Sequence, residues 1–198
     1  ALTHAYVGNH PSVAGCSPEA PGLTTISEHV NAGFGELHRD RASMEQRWGP
    51  AAPASLGCTS KDKPGGGQKH RVIQDLRRNL VNSAAALPER QVLPTLFDHA
   101  SDLLSLASSF GLIGATPHVD TMVLDYKDAF MGIPLADEER PYNVCLLDSD
   151  VLRHRPPPFE NEPSRGRAVS WRVLGFGGRP NPLVFARAAS FAARSGQA

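Results

Sequence analysis

The spread of 18 glycines and 17 prolines through 198 residues sets the scale of what this chain can build. A glycine inside a helix costs about 1 kcal/mol and a proline about 3 kcal/mol, so regular elements have to fit in the gaps between them. Most gaps are short, which predicts long irregular stretches carrying short elements. One gap is long. From Pro94 to Gly111 no breaker intervenes, and Leu96, Phe97, Ala100, Leu103, Leu104 and Ala107 recur at helical spacing. The pattern predicts a helix over Leu93–Leu112, opened by Pro94 and closed near Gly111.

Weaker signals place the other elements. Ile26, Val30, Phe34, Leu37 and Met44 fall on a rough helical stripe within Ile26–Trp48, which Gly33 and Gly35 interrupt. Lys61–Gly67 (KDKPGGG) is a turn signal flanked by charge, and His70–Leu76 follows as a strand, so the pair reads as a hairpin with a basic tip. Thr121–Leu124, Tyr142–Leu147 and Trp171–Leu174 are short β-rich runs. Asp148–Arg167 is a polar loop containing three consecutive prolines, and Leu183–Arg194 is an Ala-rich helix behind Pro182.

Several function classes lack their signatures. No run reaches the roughly 18 to 20 apolar residues of a membrane span, so the chain reads as soluble. Cys16, Cys58 and Cys145 are too widely spaced for a Cys-x-x-Cys site and odd in number, and they read as free thiols of an intracellular, reducing compartment. His4, His10, His29 and His38 lack metal-site spacing. The runs Gly65–Gly67 and Gly175–Gly178 lack the Lys-Ser/Thr pair and the strand-to-helix spacing of a phosphate loop. The sequence starts at Ala1 rather than Met and reads as cut from a longer frame. Its zero net charge is segregated: residues 1–60 carry 3 basic and 5 acidic groups, residues 61–150 carry 9 and 13, and residues 151–198 carry 8 and 2. The basic excess is all arginine, whose fork suits phosphate.

Three blocks carry a family pattern. Lys69–Asn82 (KHRVIQDLRRNLVN) combines basic residues, a short strand, then Asp75, Arg77 and a downstream Asn. Val123–Arg140 (VLDYKDAFMGIPLADEER) sends a strand into Asp125, follows it with Asp128-Ala129-Phe130, and continues through Ile-Pro-Leu into an acidic stretch. Trp171–Phe185 (WRVLGFGGRPNPLVF) leads a strand into a glycine loop and opens a helix at Pro-x-x-Phe. In this order the blocks resemble the fingers segment, motif A and motif B of reverse transcriptases from retroviruses and retrotransposons. Two positions depart from the pattern: Phe176 stands where retroviral enzymes commonly carry Gln, and Pro180 replaces a small residue.

The resemblance implies an α+β fold, the partial fingers and palm of a right-hand polymerase, with an incomplete antiparallel sheet and packed helices. It divides the chain into an N-terminal segment of unknown role (1–60), a fingers-like region (61–120) and a partial palm (121–198). The implied chemistry is RNA-directed DNA synthesis on a template-primer, with two Mg²⁺ ions about 4 Å apart stabilising the attacking and leaving oxygens. Asp125 is the implied catalytic metal ligand, and Asp128 reads as a local cap. Arg71 and either Lys69 or Lys63 would meet the triphosphate, and Phe130 would pack under the incoming sugar. Arg77, Arg165, Arg167 and Arg179 would meet nucleic acid. The family's Tyr-x-Asp-Asp hairpin does not occur in the 198 residues, and Asp148-Ser149-Asp150 precedes the third block and reads as a turn. Asp125 alone is expected to hold Mg²⁺ weakly and the chain by itself to lack polymerase activity, its missing partners being the remaining polymerase domains. The alternative is a non-catalytic structural or interaction subunit of a larger assembly, built on a decayed retroelement sequence.

Overall fold

A computed structural model describes residues 9–10, 13, 21–89, 92, 94–114, 125–147 and 167–195. The chain divides into two compact units, one made of Ala1–Leu87 with Asp128–Ala198 and the other of Pro88–Lys127. Both helices and small antiparallel sheets are present, so the fold is mixed, of the α+β kind.

In the first unit the stretch expected to hold one helix is split. Helix α1 (Pro21–Asn31) opens on Pro21, where the missing N–H costs nothing, and buries Leu23 and Ile26. It stops because Gly33 adopts φ 80, a left-handed conformation that glycine enters without steric penalty. Strand β1 (Gly35–His38) follows, then helix α2 (Arg41–Trp48). Asp40 and Ser43 form a reciprocal capping box at the start of α2, and the Gly49 N–H closes its end on the Glu45 carbonyl.

Strands β2 (Ser55–Asp62) and β3 (Gln68–Asp75) form the expected hairpin, in register from Ser55↔Asp75 to Asp62↔Gln68. Gly66 and Gly67, at φ 88 and 77, make its turn. A single helical turn, α3 (Val81–Ala84), follows. Strand β4 (Val144–Leu147) lies within the run expected for it and is preceded by two 3₁₀ turns, Ala129–Gly132 and Asp137–Tyr142. Strand β5 runs over Arg167–Trp171, four residues before the expected Trp171–Leu174, and helix α5 (Asn181–Ser195) follows the glycine loop. The expected strand Thr121–Leu124 and the loop carrying Asp148 and Asp150 lie outside the described residues.

The main sheet has the order β1-β5-β4, all antiparallel. Residues 21–62 are therefore integral to the unit rather than a separate segment: β1 is an outer strand beside β5, and β2 is half of the hairpin. Every residue of the central strand β5 is buried. Gly35 faces Trp171 because a Cβ there would stand 3.0 Å from Val169 Cγ1 and 3.3 Å from the indole, so the ring occupies the side-chain space. Leu23, Ile26, Leu56, Val72, Leu147 and Val169 close the core around Trp171.

The second unit is built on α4 (Leu96–Leu112), the helix that the breaker-free gap predicts. Thr95 and Asp98 cap it reciprocally, which sets its start just after Pro94. Most of its apolar side chains are exposed, with Leu96 at 82% and Phe97 at 84%, and Phe110 is half-buried.

Candidate functional site

The three sequence blocks meet in the first unit at a stack of side chains. The Arg71 guanidinium, from β3, lies 5.8 Å from the centre of the Phe176 ring. Phe176, from the glycine loop, meets Phe130 edge-on at 5.3 Å, and Phe130 meets Phe185 of α5 edge-on at 5.8 Å. Such pairs contribute about 0.5 to 1.5 kcal/mol each beyond the area they bury, and a cation on an exposed ring adds about 0.5 to 1 kcal/mol.

The glycine loop is held from two sides. Gln74 donates its backbone N–H to the Phe176 carbonyl at 2.8 Å, and Asn181 donates from Nδ2 to the Gly175 carbonyl at 2.7 Å. Asn82 donates from Nδ2 to the Gly177 carbonyl at 2.8 Å and accepts from the Arg179 N–H at 2.7 Å. At Gly177, φ is 121 and a Cβ would stand 1.9 Å from the Gln74 carbonyl oxygen, so the close approach of loop to strand requires glycine there.

The hairpin presents a cationic face beside Phe176. Lys61 and Lys69 are directly opposed, and Thr59 opposes Arg71 in the next pair on that face. All three cations are exposed. Like charges directly opposite repel, so an anion between them relieves a built-in cost. Beyond the hairpin a cleft of about 640 Å³ is lined by Thr59, Ile73, Asp75, Arg77, Asn82 and Gly177. Asp75 accepts the Arg78 N–H at 3.0 Å and so shapes the turn that exposes Arg77 and Arg78.

The remaining expected residues are placed differently. Asp125 is exposed and belongs to the second unit. Among the described residues no three His, Cys, Asp or Glu side chains are grouped to hold a metal ion. Asp128 begins the Ala129–Gly132 turn at φ 51, but its carboxylate caps nothing; the backbone carbonyl receives the Met131 N–H instead. Arg167 is 3% exposed rather than the exposed cation expected to meet nucleic acid: it begins the central strand β5, whose five residues are all buried. Arg179 is exposed, and Arg165 lies outside the described residues.

Two histidines and two thiols sit in the same unit. Burial lowers the pKa of His29, against the opposing pull of Asp128 and Glu28, and burial likewise lowers that of His38, whose Nε2 is 2.8 Å from Ser170 Oγ. Burial pushes the Cys145 thiol up to about 12 and raises Cys58, so neither is an activated nucleophile. Among the described residues no helix is long and apolar enough to cross a membrane.

Sequence reasoning named Arg71, Lys69 and Phe130 but gave Asn82 no role beyond its place in the pattern and treated Phe176 as a departure. The signal for Phe176 was its place between glycines, where an exposed backbone can be gripped by a neighbouring strand. No protein-family model matches the chain, and no curated protein matches it.

Proposed function

We propose that this chain is part of a reverse transcriptase-like nucleotidyltransferase, contributing the nucleotide-facing side of the fingers and the first part of the palm. One observation carries the reading: Arg71, Phe130, Phe176 and Phe185, drawn from three separated blocks, stack on one another beside the Lys61–Lys69 face. A nucleoside triphosphate has the matching chemistry. Its phosphates suit the opposed lysines and the arginine fork, and its sugar and base suit the aromatic edges. Arg77 and Arg179, with the cleft of about 640 Å³, would receive the nucleic-acid strand. A nucleoside triphosphate carries Mg²⁺ as its counter-ion. The test is titration of the chain with a deoxynucleoside triphosphate, followed by NMR. Binding should perturb Arg71 and the Lys61–Lys69 pair, and Arg71→Ala should weaken it at least about 10-fold, the value of one charge-assisted bond. Equal binding by the variant contradicts the proposal.

A second reading, a non-catalytic structural or interaction subunit, is favoured by the exposed apolar side chains of α4. Large exposed apolar patches mark partner surfaces. It predicts stable assembly with another protein and no saturable nucleotide response at Arg71.

A further inference from the structure

Phe176 helps to line a small, partly open pocket of about 10 Å³, near the least space that one water needs, about 10 to 15 Å³. Three residues on its wall carry a buried polar atom with no hydrogen-bond partner among the described residues: His29 through Nδ1, Gln74 through Oε1 and Trp171 through Nε1, of which His29 Nδ1 and Gln74 Oε1 can accept. An unsatisfied buried acceptor costs about 1 to 3 kcal/mol, and Gln74, 3% exposed, cannot reach bulk water.

Neither group is free to turn away. The Gln74 amide nitrogen is wedged against Gly175, where an added Cβ would stand 2.7 Å from it. The His29 ring is held edge-on by Trp171 at 5.7 Å and by Phe34 at 6.0 Å. The remaining side chains of the wall do not supply a partner. Val72, Met131 and Phe176 are apolar, and the Trp171 indole Nε1 is itself a buried donor with no hydrogen-bond partner among the described residues.

We infer that one water molecule is bound in this cavity, donating one O–H to Gln74 Oε1 and the other to His29 Nδ1, which fixes the imidazole as its Nε2–H tautomer. The burial that keeps His29 neutral agrees with this arrangement. The water joins α1 to the strand that holds the glycine loop, since Gln74 also grips Phe176 through its backbone. His29 thereby becomes a positioning residue for Phe176, supplied by a part of the chain outside the three blocks. The inference does not depend on the nucleotide reading.

The test uses the unaltered chain. A crystal structure at a resolution that shows ordered water should place one water within about 3 Å of both atoms, and ¹⁵N NMR should show His29 Nδ1 as an unprotonated acceptor. A dry cavity, a direct His29–Gln74 bond or an Nδ1–H tautomer overturns the inference. Variants give an independent arm. His29→Phe and Gln74→Met should each lower the melting temperature by orphaning the other partner, whereas the double variant, which removes both, should melt no lower than the worse single. Strictly additive losses overturn the coupling through water.

Discussion

Phe130 stands between two aromatic edges and also packs against the main core. Phe130→Ala should therefore cost about 3 kcal/mol of stability, measured by denaturant unfolding. Its proposed second role is separable: Phe130→Val should relax discrimination between deoxyribo- and ribonucleoside triphosphates in binding, and a loss of stability with unchanged discrimination would leave packing alone. Two histidines give the chain a pH dependence of definite sign. Burial lowers the folded pKa of both His29 and His38, so the unfolded state binds protons first as pH falls. Stability should be full above about pH 6.5, the unfolded value, and decline as pH drops below it. A melting temperature that rises on acidification would contradict this. Arg71 and Phe130 were legible in the sequence because their neighbours form spaced patterns. The burial of Arg167 was not legible, because an arginine reads as surface until the strand on each side of it is known.

Elements were legible where local chemistry dominates. Between Pro94 and Gly111 the breaker-free gap and the Thr95–Asp98 cap agree with helix α4, and the turn glycines agree with the β2–β3 hairpin. Strand β5 was displaced in the expectation for a physical reason: all five of its residues are buried, so the alternation that marks a half-exposed strand is missing, and Arg167 and Ser170 look polar. Gly33, at φ 80, ends helix α1 although the apolar stripe continues in the sequence to Met44. The clamp that Asn82 makes across to Gly177 and Arg179 was out of reach, since its partners lie more than ninety positions away. Asn82→Ala should cost about 1 to 2 kcal/mol by removing two hydrogen bonds, seen in denaturant unfolding, and should weaken nucleotide binding by loosening the loop under Phe176. Unchanged stability and binding together would contradict the clamp.

At the scale of the whole molecule, zero net charge conceals a cationic hairpin face and an exposed set of arginines, Arg77, Arg78 and Arg179, beside or near one cleft. Binding of a nucleic-acid strand there should fall steeply with salt, because each neutralised phosphate releases counterions. Arg77→Ala should lower the salt slope by about 1, measured by fluorescence anisotropy, and an unchanged slope would take Arg77 off the strand's path. On the proposed reading, Arg71, the opposed lysines and the phenylalanines form one nucleotide-facing surface. Photo-crosslinking with an azido-deoxynucleoside triphosphate, mapped by mass spectrometry, tests it most directly. Adducts should be confined to the β2–β3 hairpin, the Ala129–Gly132 turn and the loop around Phe176, and all should be suppressed by unlabelled nucleotide. Adducts elsewhere, or adducts that unlabelled nucleotide leaves untouched, would contradict it.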